Sequence, residues 1–152
     1  PVRVINAHLE TVGFSKEEKT HFSEIVHGVS EKEEMKHKSR VLLDKLAESA
    51  KIRGPQADEI NAYIERHAGE RIIFCGDIND HPLSYVRQTI TENLTDCYRE
   101  TGRWMGYTFE YHSMYVRIDN IMCSEHFTPY SCTVDKSIRE SDHYPIYCYL
   151  ND

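Results

Sequence analysis

Apolar and polar positions alternate from Val2 to Leu9, with β-branched residues prominent among the apolar ones, so the chain is predicted to open on a strand ending near His8. The period changes at Ser15. Ser15 followed by Glu17 and Glu18 marks a helix start, and Phe22, Ile25, Val26 and Val29 recur behind it at helical spacing. Ser30 to Arg40 is polar with charges of both signs. Val41, Leu42, Leu43, Leu46, Ala47, Ala50 and Ile52 then form an apolar stripe of helical period, a second amphipathic helix. Gly54-Pro55 is expected to break or kink that helix, with the same period resuming through Ala57, Ile60, Ala62, Tyr63 and Ile64 until Gly69 stops it. Arg71 to Cys75 is too short an apolar run for a helix and reads as a buried strand feeding Gly76-Asp77-Ile78-Asn79-Asp80, a turn closed by Pro82. Leu83 to Ile90 predicts a short helix capped near Ser84, and Leu94 to Tyr98 a strand or irregular segment. Thr108 to Tyr111, Tyr115 to Met122, Tyr130 to Val134 and Pro145 to Leu150 predict strands.

This order predicts an α+β domain, a sheet with helices packed on one face and a second face that needs cover. Ten tyrosines, many of them in the strand-rich second half, suit half-buried sheet positions with their hydroxyls in water. No repeat, low-complexity tract or linker divides the 152 residues, which fits one domain with a real core. An apolar share of 39% and a charged share of 28% exclude a disordered chain. The net charge of -7 argues against a broad basic surface holding nucleic acid through many phosphates, although a small cationic patch at a site remains compatible with it. Cys75, Cys97, Cys123, Cys132 and Cys148 are odd in number, form no C-x-x-C pair and sit mostly in apolar or aromatic surroundings. They are expected to be buried free thiols and not a disulfide framework. No apolar run approaches the length of a membrane span, and no signal peptide opens the sequence. A strand directly after Pro1, with no Met, reads as a fragment of a longer protein.

Asp77 and Asn79 follow a buried strand, and Gly76 before them is expected to let the backbone turn tightly, so both side chains can reach one point at the sheet edge. A carboxylate with a carboxamide makes a hard-oxygen site suited to magnesium; an Asp-x-Asn turn can equally do no more than cap its own backbone. In Ser141-Asp142-His143-Tyr144-Pro145 the adjacent acid and imidazole point to different sides, so one can face a metal or phosphate and the other an attacking water. A plain surface turn accounts for the same residues. Asp119 interrupts the strand pattern of Tyr115 to Ile121. It either takes a hydrogen bond from His143, fixing that ring's tautomer, or lies on the solvent face paired with Arg117. His8 can donate to a phosphoryl oxygen or be an ordinary strand-end histidine. His21, His27, His37, His67, His81, His112 and His126 have no site-like spacing.

Four ordered pieces, Asn6-Ala7-His8-Leu9, Gly76-Asp77-Ile78-Asn79-Asp80, Arg117-Ile118-Asp119-Asn120-Ile121 and Ser141-Asp142-His143-Tyr144-Pro145, resemble the endonuclease/exonuclease/phosphatase superfamily. Its members include DNase I, abasic-site endonucleases, neutral sphingomyelinases and inositol polyphosphate 5-phosphatases. The likeness runs from His8 to the C-terminus and is strong toward an uncharacterised bacterial branch common in Bacteroidetes, whose members often carry membrane helices ahead of this domain. The resemblance implies a DNase I-like four-layer α/β sandwich. Residues 1–152 would be the C-terminal portion of that single domain, supplying mainly one sheet and its helices. A family Asn and Glu on the metal side would lie in an N-terminal part outside these residues.

The roles the resemblance implies are these. Asp77, Asn79 and Asp142 would face a magnesium or manganese ion; Asp77 would orient or deprotonate the attacking water, and Asn79 would hold it with the phosphoryl oxygen. His143, held by Asp119, would act as base or stabilise phosphoryl charge, and His8 would help neutralise the pentacovalent transition state. Arg53 with Gln56 is expected to be structural, with phosphate contact as the other reading. The activity implied is divalent-metal-dependent hydrolysis of a phosphodiester or phosphomonoester in a nucleic acid, phospholipid or sugar phosphate, with a lean toward lipid or envelope esters. The alternative is a catalytically incomplete half-domain that binds, pairing with the missing N-terminal half or with itself through an open sheet face. The expected setting is a soluble domain, tethered to a bacterial membrane in the full-length protein.

Overall fold

The computed structural model describes residues 1–27, 32–111 and 114–152, so Val29, Ser30 and His112 of the sequence reading lie outside the described residues. In chain order the elements are β1 (Arg3–His8), α1 (Lys16–His27), α2 (Lys32–Arg66), β2 (Ile72–Asp77), α3 (Tyr85–Ile90), β3 (Thr95–Asp96), α4 (Cys97–Thr101), β4 (Phe109–Tyr111), β5 (Met114–Val116), β6 (Asp119–Cys123), β7 (Thr128–Val134) and β8 (Ile146–Asn151). A sheet of order β1-β2-β6-β3 forms the centre, with β1 parallel to β2 and the other pairs antiparallel. Two antiparallel pairs, β4 with β5 and β7 with β8, stand beside it. The parallel pair requires a long crossover, which α1 and α2 supply.

α1 begins on a reciprocal capping box. The Ser15 amide donates to Glu18 Oε2 at 2.8 Å, and the Glu18 amide donates to Ser15 Oγ at 3.2 Å. In α2 the buried face carries Leu42, Ser49, Arg53, Ala57 and Ile64, while Val41, Leu43 and Ile52 are exposed. The apolar stripe is therefore narrower than the sequence pattern, and three polar residues, Ser49, Arg53 and Asn61, sit on its core side. The break expected at Gly54-Pro55 does not occur, and α2 runs through both residues. The residue before a proline is normally driven out of the helical region by a clash involving its own Cβ; Gly54 has none.

Phe74 and Met122 from the sheet pack against Ala57, Ile64, Val86 and Ile90 from α2 and α3, as a helix-covered face requires. On the opposite face Ile73, Ile121 and Cys123 meet Cys132, Val134, Ile146, Cys148 and Leu150 of the β7–β8 hairpin. The second face thus receives part of its cover from within the chain, as a separate two-stranded sheet that the sequence pattern did not distinguish. Val4 on β1 remains 64% exposed. The single strand expected over Tyr115 to Met122 is two, interrupted at Arg117-Ile118, and Leu94 to Tyr98 divides between β3 and the start of α4. All five cysteines are free. Cys97, Cys123 and Cys132 are buried, whereas Cys75 and Cys148 are half-buried.

Gly76 has a different purpose from the turn expected of it. It lies inside β2 opposite Ala7, where an added Cβ would stand 1.9 Å from the Ala7 carbonyl oxygen. Close approach of β1 and β2 demands the glycine, and the sharp turn falls at Asn79, whose φ is 50°. The register sets His8 beside Asp77, and Asp77 beside Asp119, in one row across three strand ends.

Candidate active site

Paired positions in adjacent strands point their side chains to the same face. His8 Nε2 accordingly lies 3.6 Å from Asp77 Oδ2, and Asp119 Oδ2 lies 2.9 Å from His143 Nδ1. Ligand atoms of Asp77, Asp119 and His143 all fall within 4.8 Å of one another. His143 arrives from outside the sheet. The Tyr144 amide donates to the Thr108 carbonyl at 2.6 Å and the Glu110 amide to the Asp142 carbonyl at 3.0 Å, so residues 142–144 run along β4. Phe109 then sets its ring edge-on to the His143 imidazole, 5.1 Å between centres.

Of the two readings of Asp119, the geometry has the His143 pair. Arg117 turns away into the interior, where its Nη1 donates to Asn120 Oδ1 at 2.8 Å and its Nη2 to Asp96 Oδ2 at 2.9 Å. Asn79 uses its backbone amide on Asp77 Oδ1 at 2.8 Å and its Nδ2 on the Leu9 carbonyl at 3.1 Å, which ties the loop after β2 to the end of β1. Asp142 stands outside the Asp77–Asp119–His143 cluster; its side chain is 43% exposed and its Oδ2 lies 3.9 Å from Lys19 Nζ. Arg53 is buried, donating from Nε to Asp80 Oδ2 and from Nη1 to the Glu10 carbonyl, both at 3.2 Å, while Gln56 Oε1 accepts from the Glu10 amide at 2.9 Å. The two residues join both loops of the site to α2, in keeping with the structural reading.

Burial pushes the Asp77 carboxyl above its ordinary value; the Asn79 amide opposes this and the neighbouring Asp119 charge reinforces it. The His143 imidazole is also raised, chiefly by its hydrogen bond to Asp119 and, against the cost of burial, by the charges of Asp119, Asp77 and Asp142. Two carboxylates therefore converge with one imidazole, and among the described residues neither acid has a Lys or Arg within ion-pair distance. Carboxylate oxygens and an imidazole nitrogen are donors that a divalent cation accepts, so the cluster fits a metal ion.

Three contributors gave no usable signal in the sequence. Thr108 is fully buried, and its Oγ1 accepts from the amides of Ile118 at 3.1 Å and Asp119 at 3.0 Å, while its carbonyl takes the Tyr144 amide. One threonine thus holds the segments bearing both Asp119 and His143. Phe109 fixes the ring of His143, and Lys19 lies in a Lys- and Glu-rich helix start that reads as a solvated face. Lys19 and Phe109 line one cleft of about 680 Å³ with His8, Asp77, Asn79 and His143.

Residues 45–143 match the endonuclease/exonuclease/phosphatase family. Among solved structures, an endonuclease/exonuclease/phosphatase of Bacteroides vulgatus is 27% identical, with a TM-score of 0.57 over 66% of this chain and 44% of its own. A mannosyl-6-phosphatase of Bacteroides thetaiotaomicron is 21% identical, with a TM-score of 0.55 over 67% of this chain and 46% of its own. The human nocturnin catalytic domain is 22% identical, with a TM-score of 0.54 over 67% and 42%. This chain spans less than half the length of each of these structures. No curated protein matches it. The fold is DNase I-like, a mixed α/β arrangement. The chain belongs to the endonuclease/exonuclease/phosphatase family.

Proposed function

We propose that residues 1–152 are the C-terminal portion of a single divalent-metal-dependent phosphoesterase domain, acting on a phosphodiester or phosphomonoester. The observation that carries this is the convergence of Asp77, Asp119 and His143 within 4.8 Å at the ends of adjacent strands, in a chain of this family. Asp77 and Asp119 would hold a magnesium or manganese ion, which when bound supplies Lewis-acid polarisation of the phosphoryl oxygens. Asp77, whose Oδ1 accepts from the Asn79 amide, would orient a water and accept its proton. Asn79, at the same loop, would help hold that water, and Asp142, which lines the same cleft, would face the metal. The Asp119 bond occupies Nδ1 of His143 and leaves Nε2 for substrate. The raised imidazole stays protonated further into the neutral range, suited to stabilising a phosphoryl oxygen or leaving group. His8, with a side chain 71% exposed beside Asp77, can donate to the same oxygens.

The mannosyl-6-phosphatase among the structural neighbours supports a sugar phosphate as one substrate class. Phospholipid and nucleic-acid esters are the other arms of the test. Turnover of chromogenic monoester and diester by the intact protein, with and without magnesium or manganese, should fall roughly 10²- to 10⁴-fold on Asp77→Asn or His143→Ala. Activity surviving both changes would sink the mechanism. The half-length match favours a second reading, a half-domain that binds its complement or a second copy. Residues 1–152 alone would then self-associate without turnover, and a monomeric, active fragment would refute it.

A further inference from the structure

Lys19 projects from α1 into the cleft that holds His8, Asp77 and His143, and no step described above uses it. Its ammonium rests 4.3 Å from the centre of the Tyr111 ring and 5.8 Å from that of Phe109, the ring that abuts His143. The side chain is 26% exposed, so much of its water has been replaced by aromatic faces, which attract a cation but accept no strong hydrogen bond. The nearest carboxylate oxygen, on Asp142, is at 3.9 Å, beyond hydrogen-bond reach. Among the described residues the ammonium therefore has donors without an acceptor. Arg53, also on this cleft, is committed to Asp80 and the Glu10 carbonyl.

We propose that Lys19 binds a non-bridging oxygen of the substrate phosphoryl group and thereby selects phosphomonoesters over phosphodiesters. The proposal rests on the phosphoesterase reading and adds the substrate class. A monoester dianion brings one more negative charge into the cleft than a diester does. With Asp77 and Asp119 balanced by a divalent ion, that charge must meet the donors His143, His8 and Lys19, against the carboxylate of Asp142 beside Lys19. Donation from an ammonium to an anionic oxygen is a charge-assisted bond, and the aromatic cage already holds the donor beside the imidazole, limiting the ordering needed on binding.

Lys19→Met and Lys19→Arg in the intact protein test this. Lys19→Met should raise KM for a phosphomonoester and lower its kcat/KM roughly 10- to 100-fold, with a clearly smaller loss on a diester, and Lys19→Arg should restore most of the difference. Equal losses on both esters would mean that Lys19 does not discriminate between them, and would overturn the proposed selection. Titration with inorganic phosphate, followed by calorimetry, gives a readout without turnover. Phosphate should bind more weakly to Lys19→Met than to the parent. Equal binding overturns the proposal whether or not either protein hydrolyses an ester. Lys19-dependent phosphate binding in a protein that turns over neither ester upholds the contact and refutes the phosphoesterase reading instead.

Discussion

Replacing Asp96 with Asn should destabilise the protein by about 3 kcal/mol, the lower end of the usual cost of removing one partner from a buried ion pair. The Asp96 side chain is 2% exposed, and those of Arg87 and Arg117 are 7% exposed each. Both guanidiniums donate to its carboxylate. Arg117 does so in bidentate fashion, at 2.9 and 3.3 Å, while stacking its guanidinium over Tyr98. Asn conserves volume and the oxygen that caps α4 through the Arg99 amide, so the cap's contribution of about 1 kcal/mol is retained. What disappears is the charge, leaving two buried cations without a counter-ion. Against a typical total of about 5–15 kcal/mol, such a loss is large. Urea unfolding at neutral pH should show a lower midpoint with an unchanged slope. Burial alone would raise the Asp96 carboxyl, but Arg117, the Arg99 amide and Arg87 together hold it below its ordinary 3.8. A folded value below the unfolded one means that the stabilisation is complete above 3.8 and disappears as pH falls through the folded value. The gap between parent and variant should therefore close in acid. A loss below about 1 kcal/mol, the scale of an exposed pair, would refute the reasoning, as would a gap that persists in strong acid.

Gly76→Ala places a Cβ 1.9 Å from the Ala7 carbonyl oxygen and must part β1 from β2, costing about 3 kcal/mol as backbone overpacking; an unchanged melting temperature would contradict this. Asp119→Asn should bring the His143 pKa down toward its ordinary 6.5, because the charge that raises it is lost and any remaining bond is to a neutral oxygen. In the parent, that bond's stabilisation is present below 6.5 and lost as pH rises through the higher folded value, so an NMR titration midpoint that does not move in the variant would exclude the pair. For Asp77 the sign reverses the usual carboxylate case. Its folded pKa is raised above 3.8, so its ionised form disfavours the fold at neutral pH. Metal-free Asp77→Asn should consequently melt higher than the parent, yet lose the rise that magnesium confers. A lower metal-free melting temperature, or an undiminished magnesium shift, would count against the cluster as a metal site.

Periodicity located the elements whose burial pattern is local. β1, β2, α3, β7 and β8 lie within a residue or two of the runs that predicted them, and the Ser15 capping box starts α1 where the acidic residues indicated. Departures occur where a distant group decides. The alternation from Tyr115 to Met122 contains no sign of a break, because the break is made by the hydroxyl of Thr108 capturing the amides of Ile118 and Asp119. Gly54-Pro55 looked like a stop because each residue alone disfavours a helix, although the glycine relieves the restriction that the proline imposes. The β7–β8 hairpin read as ordinary strands of one sheet; alternation reports which face a residue uses but not which sheet it joins.

Strand ends explain why the site was more legible than the fold around it. His8, Asp77 and Asp119 each fall at a boundary of an apolar run, so their alignment required only that three strands pair in register, which the close approach at Gly76 secures. Whether Asp119 faced His143 or Arg117 was undecidable from spacing, since Arg117 shares its parity with Asp119. The choice depends on Asp96, a residue of β3 reached only after folding. By holding Arg117 and, through it, Asn120, Asp96 fixes the residues on both sides of Asp119 while touching neither Asp119 nor His143. Thr108 completes this by fixing the Asp119 backbone and, through its carbonyl, the Tyr144 amide next to His143. The alignment of the carboxylate with the imidazole therefore follows from a buried ion network and one buried hydroxyl, neither of which can meet substrate.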